Sequence, residues 1–111
     1  MENIFPDFIK NLPEADITFK GIRGWLSQGE DHQVVFMEIE PVGKVAEHAH
    51  GAQWGVVVSG EIILTIGGMT RKYCKGDQYY IPEGVIHSAE FTCETHIIDI
   101  FAEKGRYEIK G

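Results

Sequence analysis

Residues 48–60 read HAHGAQWGVVVSG, and residues 76–87 read GDQYYIPEGVIH. The first stretch sets His48 and His50 one residue apart, with Gln53 three residues further on and a valine run leading to Ser59-Gly60. On extended backbone side chains alternate between faces, so His48 and His50 point the same way. Imidazoles that converge on one face are ligands for first-row transition metals. Gly51-Ala52 breaks the alternation and lets Gln53 turn back toward the histidines in spite of its odd offset. The second stretch ends on a third histidine, His87, just past the tight turn Pro82-Glu83-Gly84.

Outward from these stretches the chain is a series of short apolar runs separated by turn residues. Residues 21–28 and 33–40 predict a hairpin around Gly29-Glu30-Asp31-His32, with His32 solvated in the turn. Pro41-Val42-Gly43 interrupts the pattern before the histidines. Further strands are predicted over 53–58, 62–66, 69–73, 78–81, 85–91 and 96–101. Gly67-Gly68 between two of them signals a two-residue hairpin turn with positive φ. Ile4, Phe5, Phe8, Ile9 and Leu12 recur at helical spacing with Pro6 suited to a first turn, so residues 3–12 predict a short N-terminal helix. The last stretch, 102–111, is polar, with Tyr107 and Ile109 as anchors. Many short strands at regular spacing predict an all-β antiparallel sandwich or barrel, not an α/β fold.

A chain of 111 residues predicts one domain. Its net charge of −7 repels phosphate backbones, and Arg71, Lys72 and Lys75 are its densest basic group, so nucleic acid is excluded as a partner. No window is long and apolar enough to span a membrane, and the N-terminus lacks a basic region followed by an apolar run. Both features predict a cytoplasmic protein whose two cysteines, Cys74 and Cys93, stay reduced, although the sequence leaves a disulfide between them open.

The two histidine stretches together resemble the cupins, small jelly-roll β-barrels with two sequence motifs. Gly43, His48, His50, Gln53 and Gly60 correspond to the first motif; Gly76, Pro82, Gly84 and His87 fit the second at every spacing. The chain departs from the pattern in a shorter gap between Gly43 and His48, in Gln53 where glutamate is commoner, and in Phe91 where asparagine is common. The resemblance implies an antiparallel jelly-roll barrel over 33–101. Residues 1–32 would complete the barrel or a dimer, and 102–111 would form a tail. It implies one divalent transition metal (Fe, Mn, Ni or Zn) held by His48, His50, Gln53 and His87, and no organic cofactor. Resemblance and the apolar residues Phe5, Phe8, Ile9, Val56 and Val58 together predict a homodimer.

Three imidazoles and an amide leave the ion's charge uncompensated, which favours a small anionic ligand such as a bidentate carboxylate, α-keto acid or enolate. Tyr79 and Tyr80 straddle the two faces of their strand, so one faces the cavity. Phe36 or Met37, and Phe91 or Phe101, would supply apolar wall, while Trp54 would point away from the metal. His96 reads either as pocket lining or as a satisfied sheet histidine. Asp99, inside the run Ile97-Ile98-Asp99-Ile100-Phe101, needs a partner: it could orient a ligand histidine, act as a general base or, the preferred reading, form a salt bridge at a strand edge. No nucleophile is paired with a base and no phosphate loop or cofactor fingerprint occurs, so catalysis would run through the metal. Three functions remain open at this point. They are a dioxygenase, redox-neutral decarboxylation or isomerisation, and ligand binding without turnover. With no evident acid or base, the first is slightly preferred.

Overall fold

The computed structural model describes residues 2–111. One helical turn, α1 (Asp7–Lys10), precedes nine strands: β1 (Ile22–Gln28), β2 (Gln33–Ile39), β3 (Gly43–His48), β4 (Gln53–Ser59), β5 (Glu61–Ile66), β6 (Met69–Cys74), β7 (Gln78–Ile81), β8 (His87–Phe91) and β9 (Thr95–Phe101). They form two antiparallel sheets, ordered β1-β2-β9-β4-β7 and β3-β8-β5-β6. Gly67 and Gly68, at φ 55° and 84°, make the turn between β5 and β6 in the left-handed region that glycine enters without strain. No helix of the described residues is long and apolar enough to cross a membrane.

Alternation decides which residues meet between the sheets. Val35, Met37 and Ile39 of β2, Val57 of β4, Ile62 and Leu64 of β5, and Ile97 and Phe101 of β9 form the apolar core. On β9 the inward set is therefore Ile97, Asp99 and Phe101, whose neighbours Ile98 and Ile100 lie on the other face and are only partly covered.

Two elements differ from the sequence-based expectation by more than one residue. The helix expected over 3–12 shrinks to Asp7–Lys10. Pro6 stands at its N-cap in extended backbone, and Asn11 caps its end ahead of Pro13. Phe5 is buried on the outer face of the five-stranded sheet, edge-on to Phe36 at 5.7 Å, while Phe8 stays exposed. The strand expected from residue 85 begins at His87, because the preceding turn extends through Val85, whose N–H donates to the Pro82 carbonyl at 3.2 Å.

Candidate metal centre

The histidines come from three places in the chain. His48 ends β3, His50 lies in the loop that follows, and His87 opens β8 directly across from His48 in the β3–β8 register. The ring centroids are 4.3 Å apart for His48 and His87, 4.7 Å for His50 and His87, and 5.3 Å for His48 and His50. One ring nitrogen of each lies within 4.8 Å of the other two.

The second nitrogen of every ring has a fixed partner. Nδ1 of His48 meets the Ala46 carbonyl at 2.9 Å, Nδ1 of His50 the Gly51 carbonyl at 2.7 Å, and Nδ1 of His87 the Val85 carbonyl at 3.0 Å. A carbonyl only accepts, so each Nδ1 carries the proton and donates, leaving the Nε2 lone pair for a cation. Burial lowers the pKa of His50 to about 4 and lowers that of His87, so neither proton competes strongly for its site at neutral pH. The donor set thus fits a divalent transition ion.

Gln53 opens β4, is buried, and lines the same cavity. Beside it is a polar pair that crosses three strands. Tyr79 of β7 and Asp99 of β9 both register against Gly55 of β4, and the Tyr79 hydroxyl donates across that glycine to Asp99 Oδ1 at 2.6 Å. A Cβ at position 55 would collide with both Asp99 Oδ1 and the Tyr79 ring. Gly55→Ala is therefore expected to break this bond and destabilise the protein by about 1–3 kcal/mol, as overpacking does. Urea unfolding reads the loss, and an unchanged midpoint would show that the crossing is not tight. Asp99 is 4% exposed. Burial raises its carboxyl from 3.8 to about 6, against the hydrogen bonds from Tyr79 and Gln53 and the charge of Arg106, which lower it. Burial, reinforced by Asp99, pushes the Tyr79 phenol well above its ordinary range.

The polar C-terminal stretch turns out to wall the cavity. Gln33, fully buried on β2, bonds both sides of Tyr107: its Nε2 donates to the Tyr107 carbonyl at 2.9 Å and its Oε1 accepts the Tyr107 N–H at 3.0 Å. This clamp holds Arg106 over the site. The guanidinium sits 4.4 Å from the Tyr107 ring centroid and 5.8 Å from that of Phe101, and its buried Nε has no hydrogen-bond partner. Arg106 forms no ion pair among the described residues. An unpaired cation beside three imidazoles has the charge and free donors to pair with an anion. Gln33→Ala is expected to cost about 2–4 kcal/mol, through two lost bonds and two stranded backbone groups. It should also weaken anion binding; thermal melts and oxalate titration together check this.

The inner cavity has a volume of about 70 Å³ and shares His48, His50 and Arg106 with an outer pocket bordered by Asp16, Thr18 and Glu108. So small an interior admits only a fragment of a drug-sized molecule, for which roughly 300–1,000 Å³ is usual.

Among the residues singled out from the sequence, Tyr79 faces the cavity and Tyr80, 59% exposed, does not. Met37, Phe91 and Phe101 line it. His96 does not. It lies on the outer face of the five-stranded sheet, 1% exposed under the edge of Phe5, with Nδ1 2.9 Å from Ser59 Oγ. Asp99 corrects the preferred salt-bridge reading, for β9 is a central strand and the carboxyl is met by a phenol instead. Arg106 and Gln33 escaped the sequence reading; one signal pointed to Arg106, a lone arginine followed by an aromatic in a polar tail.

Residues 35–101 match the model of the Cupin domain family. An H2HPP isomerase of Bacillus subtilis is 35% identical over 82 residues, which are 72% of this chain and 35% of that protein. The chain thus spans about a third of that relative's length. Among solved structures, KdgF from Halomonas sp. superposes with a TM-score of 0.72 at 22% identity, over 83% of this chain and 87% of KdgF. An RmlC-like cupin from Shewanella frigidimarina gives 0.74 at 23%, over 85% and 86%. The Mn(II)-containing oxalate decarboxylase of Bacillus subtilis gives 0.74 at 20%, over 87% and 29%.

Proposed function

The chain belongs to the cupin family, and on that premise we propose that it is a metal-dependent enzyme that moves a proton within a small carboxylate-bearing keto compound, without net oxidation. The observation that carries this reading is the Asp99 carboxyl, lining the same cavity as His48, His50 and His87, with Arg106 at its wall. The sequence offered Asp99 as one candidate base among other readings; burial, which raises its carboxyl to about 6, fits it to that role.

His48, His50 and His87, with Gln53 alongside, would hold a divalent ion (Fe, Mn, Ni or Zn), which when bound supplies a Lewis acid for the substrate carbonyl. The rest follows from the chain's own groups. Arg106 pairs with the substrate carboxylate. Asp99, as carboxylate, takes a proton from the carbon next to the carbonyl, and the electron pair of the broken C–H bond moves into that carbonyl. Where a carbon–carbon double bond is conjugated with that enolate, the pair extends to its far carbon, and returning the proton there shifts the double bond, an isomerisation with no external oxidant. Tyr79 keeps Asp99 in one orientation. The name of the 35%-identical isomerase supports a redox-neutral reaction.

The test is to incubate metal-loaded protein anaerobically in D2O with a panel of α-keto acids and keto sugar acids, following exchange at carbon by NMR. Deuterium in recovered substrate or product supports the reading. No exchange, together with oxygen uptake by the Fe(II)-loaded protein, would replace it with a dioxygenase. Arg106→Ala should weaken binding of the competitor oxalate about 10–100-fold, the worth of a charge-assisted pair; equal affinity would remove Arg106 from the anion site.

We also assign a second copy of this chain to the outer face of the five-stranded sheet. Trp54, Tyr80, Ile98 and Ile100 lie there side by side, with Tyr80 59% and Ile100 36% exposed. Light scattering at a mass near 12.5 kDa would overturn the homodimer.

A further inference from the structure

We propose that Glu103 is a positioning residue for the metal, a carboxylate that balances the ion's charge from behind His50. The inference rests on the metal reading above and extends it to a residue that coordinates nothing. The ligand set itself carries no negative charge: it is the imidazoles of His48, His50 and His87 with the amide of Gln53. Arg106 adds a positive charge nearby, and its field acts on both His50 and His87. Asp99 is tied to Tyr79 within the five-stranded sheet, across from the sheet that carries His48 and His87. Glu103 supplies what is missing.

Its Oε1 accepts the Gly51 N–H at 2.9 Å and lies 3.6 Å from Nδ1 of His50, which itself donates to the Gly51 carbonyl at 2.7 Å. Gly51 is thus gripped on both sides: its N–H by the carboxylate, its carbonyl by the ligand ring. With His50 neutral, the 3.6 Å contact is not an ion pair, and it is too long for a hydrogen bond. It becomes favourable when Nε2 binds a cation, because the ring beside Glu103 then carries part of the ion's charge. The bare backbone at Gly51 leaves room for this approach: a Cβ there would lie 3.0 Å from both Cδ and Oε1 of Glu103 and would push the carboxylate back by a few tenths of an ångström. The Glu103 side chain is 34% exposed, so water screens part of its field. The effect belongs at the lower end of the 10–100-fold typical of such outer partners, about 10-fold.

The test compares wild type, Glu103→Gln, Glu103→Asp and Gly51→Ala by Co(II) titration against a chelator, with the visible spectrum of bound Co(II) and the melting temperature of the metal-free protein. Glu103→Gln keeps an oxygen for the Gly51 N–H and loses only the charge. It is expected to bind Co(II) about 10-fold more weakly, with a shifted spectrum and an unchanged metal-free melt. Glu103→Asp should recover part of the affinity, and Gly51→Ala should lose part of it by pushing the carboxylate back. Binding by Glu103→Gln within twofold of wild type, with the same spectrum, would overturn the inference and leave the metal reading standing. A loss that follows the metal-free melting temperature in both Glu103 variants would also overturn it, as a mere loop prop. If wild type takes up none of Co(II), Mn(II) and Zn(II), the metal reading fails and this inference falls with it.

Discussion

Asp99→Asn is expected to lower proton-transfer activity at least 100-fold while making the protein more stable at pH 7.5. The first effect is the usual contribution of a positioned acid–base group, about 10²–10⁴-fold. Asparagine keeps an oxygen for the Tyr79 hydroxyl and the same volume, so the site's shape survives while its proton acceptor is gone. The second effect follows from linkage. Burial lifts the Asp99 carboxyl from 3.8 to about 6. A carboxyl whose folded-state pKa is raised contributes stability that is complete below 3.8 and is lost as pH rises through about 6. Above that pH the wild type carries a buried charge that costs up to roughly 3 kcal/mol, at 1.36 kcal/mol per pKa unit. The variant is free of that cost, less whatever its own amide leaves unsatisfied. Melting both proteins from pH 4 to pH 8 checks this: the gap between them should widen in favour of the variant up to about pH 6 and then stay level. A constant gap would mean that Asp99 does not titrate in that window, and loss of stability without loss of exchange activity would leave it a structural residue.

The sequence showed those parts of the site that are local in the chain and hid those that are not. The metal motifs are local. His48, His50, Gly76, Pro82, Gly84 and His87 stand at spacings that turns and alternation impose over a few residues, so their grouping could be read along the chain. The Tyr79–Asp99 pair is not local. It depends on β7 and β9 flanking β4 with a glycine between them at one register position, and nothing near Asp99 in sequence announces a phenol. Parity alone separated His96 from the cavity: three residues from Asp99, it must face the other way if Asp99 faces in. Tyr80 is excluded by the same rule once Tyr79 lines the cavity. Arg106 was hidden because its place is set by Gln33, far away in the chain, whose polar side chain in an apolar strand resembles an ordinary surface position. The helix expected over 3–12 is present but shortened to Asp7–Lys10 where tertiary contact outweighs periodicity, with Phe5 drawn onto Phe36 and His96 instead of continuing a helical face.

Replacing His50 or His87 by alanine should abolish metal uptake at micromolar concentration. Structural zinc sites in peptides are worth about 10–16 kcal/mol over four ligands, so one imidazole stands for roughly 100–1,000-fold in affinity. The paired readout is thermal stability. An ion that binds only the folded chain stabilises it by about 2.7 kcal/mol at 100 times its dissociation constant. Excess Mn(II) or Zn(II) should therefore raise the wild-type melting temperature by several degrees and leave the variants unmoved. Metal-free protein should behave in the opposite sense below neutrality. Burial lowers His50 from 6.5 to about 4, so its neutral ring contributes stability that is present above 6.5 and is lost as pH falls through about 4. His50→Ala has no such proton to take up, and its stability should decline less across that interval than the wild type's does. Three imidazole rings crowded at 4.3–5.3 Å, each with Nδ1 committed to a carbonyl, are a costly way to fill a barrel unless a cation gathers them. A wild-type melt that ignores every divalent metal would remove that justification, and with it the chemistry assigned to Asp99 and Arg106.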